Sequence, residues 1–158
     1  MPSEFEKKSV KSNARITINS MLVGVAATVL FLIIAINPKL LQNSFWLSLQ
    51  LVLITPFLII SSLAYSKLAY KHEPEKWNIF AWTCFVIGYC FMINVIAILM
   101  AQIGLALIGI LLLASSLVLN YIYASLDYSY GGGSKIEMIS KYVLLTVLHI
   151  FLGLKIII

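Results

Sequence analysis

Charged residues in this chain come in short groups, and the long uncharged stretches between them fix the class of fold. Those stretches are residues 16–36, 45–66, 78–123 and 142–154. A bilayer core about 30 Å thick is crossed by roughly 20 apolar residues in a helix rising 1.5 Å per residue. The first two stretches therefore fit one crossing each. The third, as one helix, would be about 69 Å long and must fold back on itself. Gln102 and Gly104 stand near its centre, which predicts a hairpin of helices 78–101 and 104–124. The last stretch is short and is followed by Lys155, whose long side chain can reach the headgroups from a helix end. It is read as a fifth span, less firmly marked than the other four.

The expected fold is thus an all-α integral membrane protein, a bundle of five transmembrane helices at about 16–36, 45–72, 78–101, 104–124 and 138–158. A basic arm, 1–15, precedes a single helical domain, 16–158. Only 11% of residues are charged, too few to cover a water-facing surface of this size. The first apolar stretch exceeds the core of a secretory signal and no small-residue cleavage site follows it, so it reads as a retained span.

Orientation follows from the basic residues. In this topology nine of the eleven fall on one side: Lys7, Lys8, Lys11, Arg15, Lys67, Lys71, Lys76, Lys135 and Lys141. Only Lys39 and Lys155 fall on the other. Lysine and arginine collect in short cytoplasmic loops, which places the N-terminus inside and the C-terminus outside a plasma or inner membrane. The net charge of +5 is explained by these loops. No nucleic-acid-reading motif accompanies it, so nucleic acid is not an expected partner.

Several residues punctuate the helices. Thr55-Pro56 predicts a kink in the second span, because proline leaves the carbonyl four residues earlier without its donor. Gly131, Gly132 and Gly133 read as a hinge before the last span. They lack the spacing of a phosphate-binding loop.

Chemistry-bearing sets are sparse. Cys84 and Cys90 lie six residues apart on one helix, beyond disulfide reach, and two histidines supply no ligand set for a metal. No cofactor motif is present. The acids stand at the expected cytoplasmic side, and Asp127 with Tyr123, Tyr128 and Tyr130 is the nearest approach to a catalytic group. The spans carry no midplane Asp, Glu, Arg or Lys of the kind that couples transport to ions. Counted from the outer ends, however, Thr28, Thr55, Asn94 and His149 share one layer about 12–15 Å deep. His149 is the one titratable side chain there with an ordinary value near neutrality. This layer is either a polar constriction or a set of interhelical hydrogen bonds. Small and polar residues mark packing faces: Ser20 and Gly24 with Thr28 on the first span, and Gly109, Ser116 and Asn120 on the fourth.

The expected function is a non-enzymatic membrane subunit acting as an oligomer, either a passive pore or the anchor or sensor of a larger complex. Its expected partners are membrane lipids, further copies of itself and a soluble cytoplasmic protein. A small-molecule or lipid carrier, and an enzyme with a cytoplasmic-face site near Asp127, are the alternatives.

Overall fold

The computed structural model describes residues 4–68, 74–131 and 135–154. Nearly all of them are helical, and no strand occurs among them. The helices are α1 (Glu4–Ile36), α2 (Lys39–Asn43), α3 (Phe45–Leu68), α4 (Pro74–Gln102), α5 (Ala106–Gly131) and α6 (Lys135–Thr146), which continues as a π-helical segment, Val147–Leu154. Four segments are long and apolar enough to cross a membrane: Ser12–Ile36, Phe45–Lys67, Lys76–Gln102 and Ala106–Leu126. A shorter apolar helix covers Met138–Leu154. Large apolar side chains such as Phe31, Val52, Leu107, Leu119 and Phe151 point outward, as in a bundle solvated by lipid rather than water.

The backbone packs as two compact units, one ending at Tyr89 and the other beginning at Cys90, so the division falls inside α4. In the first unit α1 and α3 run antiparallel: Ser12 Oγ donates to the Tyr65 carbonyl (2.6 Å) and Asn19 Nδ2 to Ser61 Oγ (3.0 Å). Their contact follows a heptad. On α1 the buried residues Ser12, Asn19, Ala26 and Ile33 recur every seventh position. On α3, Leu47, Leu51, Ile54, Leu58, Ser61 and Tyr65 alternate steps of four and three. This spacing keeps one seam of each helix facing the other at a shallow crossing angle. The Ser61 hydroxyl passes the bond on to the Ala81 carbonyl of α4 (2.8 Å), tying three helices together.

Local signals account for the helix ends. Pro38 opens α2, where its fixed φ suits the first turn (φ −62°) and its missing N–H costs nothing. The one-turn α2 is fastened to α3 by Ser48 Oγ, which donates to the Leu41 carbonyl (2.5 Å). Pro56 lies inside α3, and the helix runs through it. The hairpin turn between α4 and α5 is built on Gly104 at φ +85°. Leu105 N–H reaches the Met100 carbonyl (2.8 Å) and Gly104 N–H the Ala101 carbonyl (3.1 Å), the bond pair of a Schellman cap. Gly104→Ala puts a Cβ into that left-handed conformation. It is expected to lower stability by about 1 kcal/mol, read as a shift in the midpoint of denaturant unfolding in detergent.

Helix α1 begins at Glu4, well before the apolar stretch at residue 16, so the basic arm continues the span as helix. α5 continues past the expected end at 124 to Gly131. Gly132 and Gly133 of the expected hinge, the end of the second expected helix beyond Leu68, and residues 155–158 of the fifth lie outside the described residues.

Candidate functional site

The second unit contains a polar ladder between two antiparallel helices. Three rungs join α5 to α6 and its π-helical extension: Ser125 to Tyr142, Tyr121 to Thr146, and Ser116 to His149. The residue numbers fall along α5 as they rise along α6. Tyr121 and Ser125, four residues apart, share a face of α5, as Tyr142 and Thr146 do on α6. The Tyr121 and Tyr142 rings pack at 4.7 Å between centroids beside the two upper rungs.

The direction of each hydrogen bond can be worked out from what must donate. Thr146 Oγ1 gives its proton to the Tyr142 carbonyl (2.8 Å), so at the middle rung it accepts from Tyr121 O–H. At the lowest rung, His149 Nδ1 faces the Leu145 carbonyl at 3.2 Å. A carbonyl only accepts, so Nδ1 carries the hydrogen, and in a neutral ring Nε2 is then an acceptor. Ser116 O–H therefore donates to Nε2 (3.2 Å), while Asn120 Nδ2 donates to Ser116 Oγ (3.3 Å) and to the Ser116 carbonyl (2.8 Å). The result is a directed chain from Asn120 through Ser116 and His149 to the backbone of Leu145.

α4 closes the cluster from another side. Asn94, fully buried, donates from Nδ2 to the Leu148 carbonyl (2.9 Å). π winding is uncommon and bonds each N–H to the carbonyl five residues back. Here it begins where His149 reaches back to Leu145. Gly153 lies on the same segment, and a Cβ added there would stand 2.7 Å from Asn94 Oδ1 and 3.2 Å from Leu113 Cδ1. The backbone of the π segment thus rests directly on the asparagine.

A serine whose proton is held by an imidazole has the polarity that a general base needs. Here Ser116 and His149 are both buried, 6% and 1% exposed, and the serine oxygen already accepts from Asn120. The arrangement satisfies itself. It matches no known relative either: compared with known protein families, curated proteins and solved structures, the chain matches none of them.

Of the residues expected in one polar layer, Asn94 and His149 come together, along with Ser116 and Asn120 from the expected packing face of α5. Thr28 and Thr55 belong to the other unit. Thr28 is exposed and its hydroxyl bonds the Gly24 carbonyl of its own helix (2.9 Å); Thr55 is half-buried beside Pro56. Gly109 faces α4 at very short range, with Ala97 O 2.5 Å from where a Cβ would stand. Ser20 and Gly24 face outward, and a Cβ at Gly24 would meet nothing within 4 Å. The side chain of Asp127 lies outside the described residues.

The first unit holds polar groups that the sequence did not single out. Asn19 and Gln50 are each 1% exposed. Arg15 bonds Asn78 Oδ1 (3.0 Å) and lies 4.8 Å above the Tyr65 ring, a cation–π contact that ties α1 to α3 and α4. The seven-residue recurrence from Ser12 to Asn19 to Ala26 was the signal available for Asn19.

Proposed function

We propose that this chain is a non-enzymatic integral-membrane subunit that works as an oligomer, as the anchor or sensor of a larger assembly. The observation that carries this reading is how the polar and small residues are divided. The buried side chains Asn94, Ser116 and His149 and the half-buried Asn120 bond one another or nearby backbone. The face of α1 bearing Ser20, Gly24 and Thr28 is turned outward. In lipid there is no hydrophobic drive between helices, and association depends on small residues that let backbones approach closely. A passive pore is the second form of the same reading, and it needs several copies around an axis.

The topology proposed with it has five spans, the N-terminus in the cytoplasm and the C-terminus outside. The ladder supports a fifth span by its depth. Gly153 stands level with Leu113 of α5, and α5 begins only about 10 Å farther on, at Ala106. The distribution of lysine and arginine supports the orientation and offers a basic cytoplasmic surface to a soluble partner. Membrane lipids are the remaining partner.

Mass measurement of the protein in native-lipid nanodiscs tests the oligomer. The wild type is expected as a dimer or higher assembly. Gly24→Leu, which places a large side chain on an outward face and disturbs no internal contact, is expected to weaken association about tenfold or more. A wild type found only as monomers would overturn the reading.

A further inference from the structure

A groove of about 350 Å³ runs between α1 and α3, lined by Ile16, Ser20 and Val23 on one side and Ile59, Ser62, Leu63 and Ser66 on the other. Each wall spans eight residues, about 10 Å of helix from first to last. Its surface is mainly aliphatic, and each serine in it donates to a carbonyl of its own helix: Ser20 to Ile16, Ser62 to Leu58 and Ser66 to Leu63. Any acyl chain would fit such a slot. Its two ends, however, are chemically different.

At the end where α1 begins and α3 finishes, the groove terminates at Ser66, and the next residue is the exposed Lys67. Lys67 follows Leu63 by four positions and so lies on the groove-lining face of α3, one turn beyond it. Arg15 on α1 and Lys76 on α4 belong to the same end. Arg15 is held by Asn78 and the Tyr65 ring, on the side of α1 that faces α4, which among the described residues leaves Lys67 as the cation at the mouth. The Ser66 hydroxyl can rotate its proton from the Leu63 carbonyl to an incoming oxygen.

We propose that this groove binds one anionic phospholipid, with an acyl chain between α1 and α3 and its phosphate at Lys67 and Ser66. Charge complementarity selects the occupant. A zwitterionic lipid fills the slot equally well but carries its own cation to the lysine, whereas an anionic one does not. Both walls belong to one chain, and Ser20 stands at the border between the groove and the outward face of α1.

Native mass spectrometry tests it on the full chain in mild detergent, offered equal amounts of phosphatidylglycerol and phosphatidylcholine. The wild type is expected to retain one lipid, with phosphatidylglycerol preferred. Lys67→Gln is expected to reduce that preference about fivefold, the size of one interfacial lysine. Lys76→Gln, at the same end but off the groove, is expected to leave it unchanged. Ile59→Trp, which fills the slot from an exposed position, is expected to abolish retention of both lipids while helix content is unchanged. Equal retention of the two lipids by the wild type would overturn the proposal. So would an equal loss of preference in Lys67→Gln and Lys76→Gln, which would mark diffuse attraction to a basic rim, or lipid retained unchanged by Ile59→Trp.

Discussion

Gly109→Ala is expected to destabilise the α4–α5 hairpin by about 2–3 kcal/mol, although alanine is otherwise the better helix former. The cause is steric. An added Cβ would stand 2.5 Å from the Ala97 carbonyl oxygen, 3.3 Å from its carbon and 3.5 Å from its Cα. All three are backbone atoms, so no side chain can swing aside, and the two helices must separate. Overfilling a packed interface commonly costs 1–3 kcal/mol, and this contact is with rigid backbone, which places it at the upper end. A second variant separates this cause from ordinary crowding. Ala97→Gly removes a side chain but leaves the carbonyl in place, so it is expected not to rescue Gly109→Ala. Recovery in the double variant, measured by denaturant unfolding in detergent, would show that the clash involves the Ala97 methyl group.

Gly153→Ala has the second large expected effect, about 2 kcal/mol, by a different route. Its Cβ would meet Asn94 Oδ1 at 2.7 Å and Cγ at 3.1 Å, which are side-chain atoms. That side chain is fully buried and anchored by its bond to the Leu148 carbonyl, so moving it breaks a hydrogen bond within the membrane. The two positions should therefore be strongly coupled. In an Asn94→Ala background the two closest obstructing atoms are gone and only Leu113 Cδ1, the end of a flexible side chain, remains at 3.2 Å, so Gly153→Ala is expected to cost under about 0.5 kcal/mol. A double-mutant cycle giving additive losses would contradict the contact.

The four long helices were legible because the bilayer imposes a length, and the uncharged stretches declare it. The hairpin at Gln102–Gly104 was legible for the same reason: one stretch was too long to cross once, and the helix-weakening glycine marked the turn. Helix boundaries were less so. The arm before residue 16 is polar, and apolar length carries no information about a helix that continues into water, so the start of α1 at Glu4 was not visible. The single turn of α2 depends on Pro38 and on a hydroxyl from α3, both too local to register in hydropathy.

Interior residues show a sharper limit. A search for small residues at four-residue spacing selects Ser20, Gly24 and Thr28, yet the seam with α3 runs through Ser12, Asn19, Ala26 and Ile33. Within lipid both faces of a helix are apolar, so hydrophobic periodicity no longer distinguishes inside from outside, and a seven-residue recurrence of mixed residue types is easily overlooked. The polar cluster was half visible. Asn94, His149, Ser116 and Asn120 each stood out as polar groups in apolar helices, but their meeting depends on the register between α5 and α6 and on the π winding after Thr146. Neither has a signature in one sequence. Arg15 was counted only as a topological charge, because its partners Tyr65 and Asn78 lie 50 and 63 positions away in the chain.

The two faces of α1 bring these observations to one functional question, since one seats α3 and the other is left to the surroundings. Oxidative crosslinking of single cysteines in native membranes, with Cys84 and Cys90 replaced by alanine, tests the oligomer most directly. Gly24→Cys and Thr28→Cys are expected to give disulfide-linked dimers. Ala26→Cys, buried against α3 within the same chain, is expected to give none. Monomers at all three positions, or dimers formed equally from Ala26→Cys, would contradict an assembly through this face.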